Sequence, residues 1–237
     1  MEDFTVNGVN LSTYGAYWDG SQLWDKPRKD VIFYQIPGRS GDLSFFTGRY
    51  ENVNINVNCY IKENFVENFN NLMNFLYSLD GYVRIENTID TEAYRMGQFV
   101  EEITPQPTQM HEGGYFTLVF NCMPQRFLFS GEEQITGFDF QGNLTFTNPT
   151  NSSPFPFIHV VNGTGQEFTE ITINGEGIFT NADVGTIEYD GESGYLTVTA
   201  LGETTKTYVG QHRLKPGTNV IKVTNASGYV IPHWWEL

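Results

Sequence analysis

The acidic side chains are the first place to look for catalysis, because the chain carries 28 Asp and Glu residues against 13 Lys and Arg. A glycosidase needs two carboxylates that face each other across a cleft. Glu101 and Glu102 are adjacent, and neighbouring residues of a strand point to opposite faces of a sheet. Asp190 and Glu192 lie in the segment DGES, which indicates a turn because the regularly spaced oxygen ligands of a calcium loop are missing. These carboxylates indicate solvated charge rather than an active site.

Histidine and cysteine could bind a metal or supply a nucleophile, and both are sparse. Cys59 and Cys122 each follow an alternating, strand-like run, which predicts two buried free thiols. No Gly-x-Ser-x-Gly sequence marks a nucleophilic serine. Four histidines stand far apart, without the spacing or the cysteine partners of a zinc site: His111, His159, His212 and His233. The sequence therefore predicts no catalytic residue, no metal site and no cofactor site.

The segment YQIPGRSGDL contains a GxxG sequence, Gly38 to Gly41, which in the KH module clamps a nucleic-acid backbone. In that module the loop joins two helices on a basic surface, whereas here it follows a strand-like run in a chain of net charge -15. Such a surface repels phosphate. A P-loop is excluded because no Gly-Lys-Ser/Thr sequence follows. Positive φ angles in a tight turn between strands explain the two glycines better.

Two adjacent tryptophans lie in the segment YVIPHWWEL. An exposed indole can stack on the apolar face of a sugar ring, so Trp234 and Trp235 are candidates for a carbohydrate platform. Alternation along a strand gives a competing interpretation, in which one indole packs inward and the other covers the edge of a sheet. We expect the packed arrangement and keep the platform as the alternative.

Two periodic segments indicate the elements that would position these residues. Strict alternation in ENVNINVNCYI, residues 51–61, predicts a strand with one buried face and one asparagine-rich face, as in an antiparallel sheet. Residues 64–80 carry a single apolar stripe at helical spacing and predict one helix. Asn64 is placed to cap its start, and Gly81 to end it in a left-handed conformation. A helix beside a half-buried sheet predicts an α+β layer.

The pattern changes near residue 133. Before it, strand-like runs flank the helix, and residues 106–114 predict the tip of a long hairpin. After it, short strand-like runs are separated by Gly, Asn, Asp and Pro at intervals of about 8–12 residues, the spacing of a β-sandwich. We therefore expect a mainly β fold with one helix, divided into residues 1–133 and residues 134–237.

The amino-terminal segment MEDFTVNGVN has neither the basic nor the apolar region of a signal peptide. No apolar run reaches the ~18 residues of a membrane span. Two cysteines are too few for a disulfide framework. We expect a soluble protein made in a reducing compartment, for which nucleic acid is a poor candidate as a tightly bound partner.

Five segments, in this order, resemble the distal tail protein family of long-tailed (siphovirus-type) bacteriophages: IPGRSGDL, GRYEN, FNCMPQRFLFSGEE, LKPGTNVIKV and IPHWWEL. Together they span nearly the whole chain. The resemblance implies an N-terminal α+β domain that forms a hexameric ring and a C-terminal galectin-like, carbohydrate-module-like β-sandwich. One departure is His233, which stands where the family pattern has arginine before the paired tryptophans.

The resemblance implies a virion structural protein, not an enzyme, at the distal end of the tail. The implied partners are other copies of the chain in a homohexamer, the tail tube protein, the tail-associated tip protein and, in some phages, a receptor-binding protein, with DNA only in transit. Part of the negative charge would line the ring channel and discourage phosphate from binding. The ring-domain motifs give four candidate turn or interface residues: Arg39, Asp42, Arg49 and Glu51. The alternative function is a carbohydrate-binding protein that recognises host cell-wall saccharide through the C-terminal sandwich.

Overall fold

The computed structural model describes residues 3–21, 25–108, 112–138, 142–162, 169–180 and 185–237. The chain forms two compact units, one of residues 1–126 with Leu237 and one of residues 127–236. The separation of residues 1–133 and 134–237 into domains stays a prediction, which partial proteolysis would test through the fragments it releases. His111 and the centre of the predicted 106–114 hairpin lie outside the described residues.

The first unit is a sheet with one α-helix among its described residues, and the helix, α1, spans Phe65–Ser78. The strands in chain order are β1 (Phe4–Val6), β2 (Val9–Asn10), β3 (Ala16–Trp18), β4 (Lys29–Tyr34), β5 (Leu43–Tyr50), β6 (Val53–Ile61), β7 (Val83–Asn87), β8 (Ala93–Phe99), β9 (Gln106–Pro107) and β10 (Gly114–Leu128). A short 3-10 helix spans Leu11–Tyr14. The predicted α+β layer is present in this unit.

Seven of these strands form one sheet in the order β2-β1-β7-β8-β10-β6-β3, and β9 pairs with β10 as well. The β10–β6 ladder is antiparallel and runs from Gly114 opposite Ile61 to Cys122 opposite Val53. The predicted alternation in β6 is confirmed, because every second side chain from Val53 to Ile61 is buried. Side chains of α1 pack into the core on that face: Phe65, Leu72 and Leu76.

The ends of α1 differ in detail from the prediction. The side chain of Asn64 makes no capping hydrogen bond. Capping requires an extended backbone at this position, whereas Asn64 is left-handed at φ 52°. The N–H of Phe65 instead donates to the carbonyl of Glu112 at 3.2 Å. At the other end the chain is already extended at Leu79. Gly81 is left-handed, as predicted, with φ 67°, but it follows the end of the helix rather than forming it.

The second unit contains two sheets. Its strands are β11 (Asn143–Asn148), β12 (Phe157–Asn162), β13 (Thr169–Ile173), β14 (Glu176–Thr180), β15 (Gly185–Asp190), β16 (Tyr195–Ala200), β17 (Glu203–Tyr208), β18 (Gly217–Val223), β19 (Ser227–Ile231) and β20 (Trp235–Glu236). A 3-10 helix spans Phe129–Gly131. One sheet has the order β11-β18-β13-β14 and the other has the order β17-β16-β15-β12-β19.

Apolar side chains from both of these sheets form one core, so the predicted β-sandwich is confirmed. Ile171 and Ile221 come from the first sheet, and Ile187 and Tyr189 from the second. The mainly β fold with one helix is thereby confirmed for the described residues, whereas a likeness of the sandwich to galectins stays a prediction. No helix among the described residues is long and apolar enough to cross a bilayer.

The segment LKPGTN turns the chain into β18 through the side chain of Asn219, which is fully buried. Its amide oxygen accepts a hydrogen bond from the N–H of Lys215 at 2.9 Å. Its amide nitrogen donates to the carbonyls of Lys215 and Gly217. Gly217 has φ 78°. A buried amide with all these partners specifies the turn locally.

Candidate functional site

The β4–β5 hairpin is the strongest candidate for an interaction site. Among the described residues the two strands pair only with each other and form a separate two-stranded sheet. Ile32 lies opposite Phe45, and Tyr34 lies opposite Leu43. These four side chains share one face, because directly opposite residues of a ladder point the same way. The other face carries its own apolar side chains, which include Phe33 and Phe46.

Both faces of the hairpin are exposed. The large apolar side chains of the two strands, with their exposed fractions, are Ile32 41%, Phe33 61%, Tyr34 53%, Leu43 46%, Phe45 59% and Phe46 41%. A soluble chain rarely exposes a contiguous apolar patch unless the patch binds something. An isolated two-stranded hairpin is also marginally stable in water. Both observations indicate that the hairpin is covered in an assembly.

Polar contacts hold the base of the hairpin. The Arg49 guanidinium lies 3.8 Å from the Asp30 carboxylate, and the Thr47 hydroxyl donates to the Asp30 carbonyl at 3.1 Å. The N–H of Glu51 donates to the carbonyl of Arg28 at 2.9 Å. The pairing register shifts between Lys29 and Val31. A β-bulge of this kind strengthens the local twist and bends the strand. The bulge at the base therefore sets the direction in which the rest of the hairpin extends.

The turn at the far end is the GxxG segment, and it joins the two strands as predicted. Gly38 and Gly41 have φ values of 80° and 83°. A Cβ atom at either position would meet nothing within 4 Å, so the backbone conformation, not space, requires glycine. Arg39 and Asp42 are both exposed on this turn. No ion pair between their side chains is present in this described part of the chain.

Three of the four ring-domain candidates lie on the hairpin, with Arg39 and Asp42 at the turn and Arg49 near the base, and Glu51 follows β5 at the base. Their role at an interface stays a prediction. The apolar residues of the hairpin are the part that the motif-based prediction missed. A signal was present, because VIFY and the pair Phe45-Phe46 are apolar at successive positions, and a strand with two apolar faces must be covered on both.

The two tryptophans occupy different environments within the second unit. Trp234 is 4% exposed and packs in the core, with its ring centroid 5.9 Å from that of Phe146. Trp235 is half-buried in β20. His233 has a left-handed backbone at φ 54° immediately before them. A platform formed by both indoles is therefore not available, because the ring of Trp234 is covered by the core; Trp235 alone keeps that predicted role.

The cysteines are free and buried. Burial raises the pKa of the Cys59 thiol, and likewise of the Cys122 thiol, to about 12. Thiols with so high a pKa are protonated at neutral pH and are poor nucleophiles. Within the described ranges, no three His, Cys, Asp or Glu side chains come close enough together to hold a metal ion.

Comparison with known proteins shows what this fold is similar to. No family model matches the chain, and neither does any curated protein. The solved structure of the Dit protein (gp 19.1) of phage SPP1, described as a paradigm of the hub adsorption apparatus in phages that infect Gram-positive bacteria, matches with a TM-score of 0.76. The match has 15% identity and covers 100% of each chain. The baseplate of phage P2, in its activated conformation with Ca, matches with a TM-score of 0.50 and 9% identity over 97% of each chain. The chain therefore has the fold of the SPP1 Dit protein over its whole length, which confirms, as a fold, the resemblance to phage distal tail proteins.

Proposed function

We propose that this chain is a structural, non-enzymatic component of a bacteriophage tail baseplate, where it forms a hexameric ring that joins the tail tube to the tail tip. The fold supports this proposal, because the solved structures that match include a phage adsorption hub protein and a phage baseplate. Within a virion the chain would lie at the distal end of the tail.

The observation that carries the proposal is the exposed hairpin. Its apolar side chains lie on both faces of a two-stranded sheet that no other described strand covers. Full burial of a fully exposed side chain of this size contributes about 1.5–3 kcal/mol. The hairpin side chains are 41–61% exposed, so each would contribute roughly half of that to a complex before the costs of association. A monomer would leave all of this area in water, so an assembly in which the hairpin is covered is strongly favoured.

A closed ring is the assembly that suits this hairpin. The hairpin is a single projecting element, and a contact between it and a different surface of the next copy is heterologous. A heterologous contact relates each copy to the next by the same rotation. A closed ring forms when a whole number of these rotations makes a full turn. Arg39, Asp42, Arg49 and Glu51 lie on or beside the hairpin and would be interface residues in such a ring.

The other proposed partners follow from the same role. They are the tail tube protein, the tail-associated tip protein and a receptor-binding protein that uses the ring as its attachment hub. DNA would pass through the channel without being held. The net charge of -15 supports this, because acidic side chains in the channel would repel phosphate.

The test is the oligomeric state of the purified full-length chain. Mass photometry and negative-stain microscopy should show particles of six times 27.0 kDa with six-fold symmetry and a central channel. The proportion of rings should rise with protein concentration. A chain that stays monomeric at high micromolar concentration, alone and mixed with a tail tube protein, would contradict the proposal.

A further inference from the structure

A cavity of about 450 Å³ lies on the first unit. Outward-facing side chains of β6 and β10 line it: Asn58, Tyr60, Tyr115, Thr117 and Val119. The segment before β9 contributes Glu102 and Thr104, β9 contributes Gln106, and Asp19 also lines the cavity. No hairpin residue lines this cavity. The first unit therefore carries both the exposed apolar β4–β5 hairpin and a separate cavity.

The part of the cavity wall that β6 and β10 form carries no charged side chain, which is unusual for so acidic a chain. Four cross-strand pairs of β6 and β10 form the sheet surface around it, and we call this surface the outer face: Asn54–Asn121, Asn56–Val119, Asn58–Thr117 and Tyr60–Tyr115. Side-chain hydrogen bonds join some of these pairs, as between Thr117 and Asn58 at 2.9 Å. An uncharged surface loses less hydration energy on burial than a charged one does.

Three tyrosines continue the outer face towards β3. The ring of Tyr60 lies 5.5 Å from that of Tyr17 and 6.3 Å from that of Tyr115, measured between centroids. Tyr115 is 65% exposed. Aromatic rings in this arrangement offer apolar area to a partner and attract cations to their faces.

The charged groups that line the cavity are acidic. Asp19 and Glu102 are both exposed. Burial alone raises the pKa of Asp19, but hydrogen bonds from Ser21 and Asn58 outweigh it and leave the pKa below its ordinary value. Asp19 is thus a carboxylate at neutral pH. A ligand for this recess should combine apolar or aromatic side chains with positive charge.

The β4–β5 hairpin combines aromatic side chains with positive charge. Residues 29–50 carry three basic side chains and two acidic ones, a net charge of +1, which leaves -16 for the rest of the chain. The same segment presents the exposed aromatic side chains described above. Its charge is opposite in sign to that of the remaining surface, so copies of the chain attract one another through it.

We propose that the β4–β5 hairpin of a second copy of this chain docks on the outer face and fills the cavity with its aromatic side chains. This inference rests on the proposed ring and names the surface that closes it. A basic tail protein or a small ligand in the cavity would be a different occupant, and the experiment below separates these outcomes.

The first experiment maps the contact by photocrosslinking. A benzoylphenylalanine replaces Phe45 in full-length chain, and this protein is mixed with isotope-labelled wild-type chain so that crosslinks between copies are recognised by mass. We expect crosslinked peptides that contain Tyr60 or Tyr115. The matched control places the same probe at Val66, which is 57% exposed on α1, and should not label those peptides.

The second experiment blocks the outer face with charge. Tyr115→Arg should weaken assembly at least tenfold in mass photometry, because a like charge meets the basic hairpin, whereas Tyr115→Phe should assemble normally. The control Tyr77→Arg alters a tyrosine of similar exposure, 68%, on α1 and should leave assembly unchanged. Far-ultraviolet circular dichroism verifies that each variant is folded.

The outcomes distinguish the two proposals. Rings that form while Phe45 crosslinks to other peptides, or while Tyr115→Arg assembles like wild type, would overturn the docking inference and leave the ring intact. Crosslinks from Phe45 to a tail partner alone would also overturn it. A chain that is monomeric under every condition would overturn both the ring and its docking surface.

Discussion

Phe45 lies directly opposite Ile32 in the β4–β5 ladder, and both side chains are largely exposed. A cross-strand pair of this kind stabilises a hairpin by roughly 0.2–1 kcal/mol. Taking a fully exposed side chain of this size to full burial contributes about 1.5–3 kcal/mol. Because Ile32 is 41% and Phe45 59% exposed, about half of that contribution is still available when a partner covers the pair.

Replacing this pair by Ile32→Thr with Phe45→Thr should separate folding from assembly. Threonine suits a strand, so we expect the free energy of unfolding of the monomer to change by about 0.5 kcal/mol or less per site. Assembly should weaken at least tenfold, because the apolar area that drives it is lost. Urea unfolding measures the first quantity and analytical ultracentrifugation the second.

Val161→Thr is the matched control for the hairpin variant, because Val161 is 43% exposed in β12 of the second unit, outside the hairpin, and threonine suits a strand. It should leave both quantities unchanged. A hairpin variant that assembles as well as wild type would show that the exposed pair is not an interface.

The two tryptophans should respond differently to truncation. Trp234→Ala removes a core side chain and should lower the free energy of unfolding by about 3–5 kcal/mol. Trp235→Ala should cost clearly less, because Trp235 is only half-buried. Urea unfolding followed by circular dichroism compares them. Equal losses would contradict the assignment of Trp234 to the core.

Trp235→Ala also tests the alternative function, a carbohydrate-binding protein that recognises host cell-wall saccharide. If the indole of Trp235 is a sugar platform, the variant should lose affinity for purified cell walls in a sedimentation assay. Wall binding that is unchanged from wild type would remove Trp235 from that role.

The ion pair between Arg126 and Asp90 should contribute strongly to stability. The Arg126 Nε donates to Asp90 Oδ2 at 2.6 Å, a second contact joins Nη2 to Oδ1, and the two side chains are 13% and 15% exposed. Asp90→Ala removes the carboxylate from a largely buried guanidinium, so we expect a loss of about 3 kcal/mol, measured by urea unfolding.

Asp30→Ala provides the comparison for this ion pair. It removes the carboxylate of the exposed Arg49 pair, whose atoms are 3.8 Å apart, and should cost about 1 kcal/mol or less. If the two variants were equally stable, burial would not govern the strength of these pairs.

Asp190, at the turn between β15 and β16, should make the free energy of unfolding sensitive to acid. Burial by itself raises the pKa of Asp190, but hydrogen bonds from Ser193 and Glu192 and the nearby His233 outweigh it and leave the pKa below its ordinary value of 3.8. Because the folded-state pKa is the lower one, the carboxylate stabilises the fold above pH 3.8, and this contribution is lost as pH falls through the folded pKa. Asp190→Asn should therefore flatten the decline of stability with acid.

Urea unfolding at pH 6 and at pH 3 measures this effect. Wild type should lose more stability than Asp190→Asn between the two pH values. Asp42→Asn, which removes a carboxylate from an exposed turn, should decline like wild type. An Asp190→Asn profile parallel to wild type would show that the turn hydrogen bonds do not favour the ionised form.

Much of the architecture could be predicted from local patterns. Alternation over residues 51–61 gave the buried and polar faces of β6, and the apolar stripe over residues 64–80 gave α1. The glycines of the GxxG segment predicted a strand-joining turn. These features depend on neighbours in sequence, since side-chain period and turn geometry are properties of a few consecutive residues.

The strand order, the burial of Trp234 and the exposure of the β4–β5 hairpin depend on contacts between residues far apart in sequence. Nothing local places β10 between β8 and β6, or shows that Trp234 rather than Trp235 enters the core, because alternation alone gives two equivalent choices of face. The apolar residues of VIFY would suit a buried strand, yet the folded chain leaves them without a covering layer. Burial depends on which elements meet in space, so the exposed hairpin and the recess that could receive it became visible only in the tertiary structure.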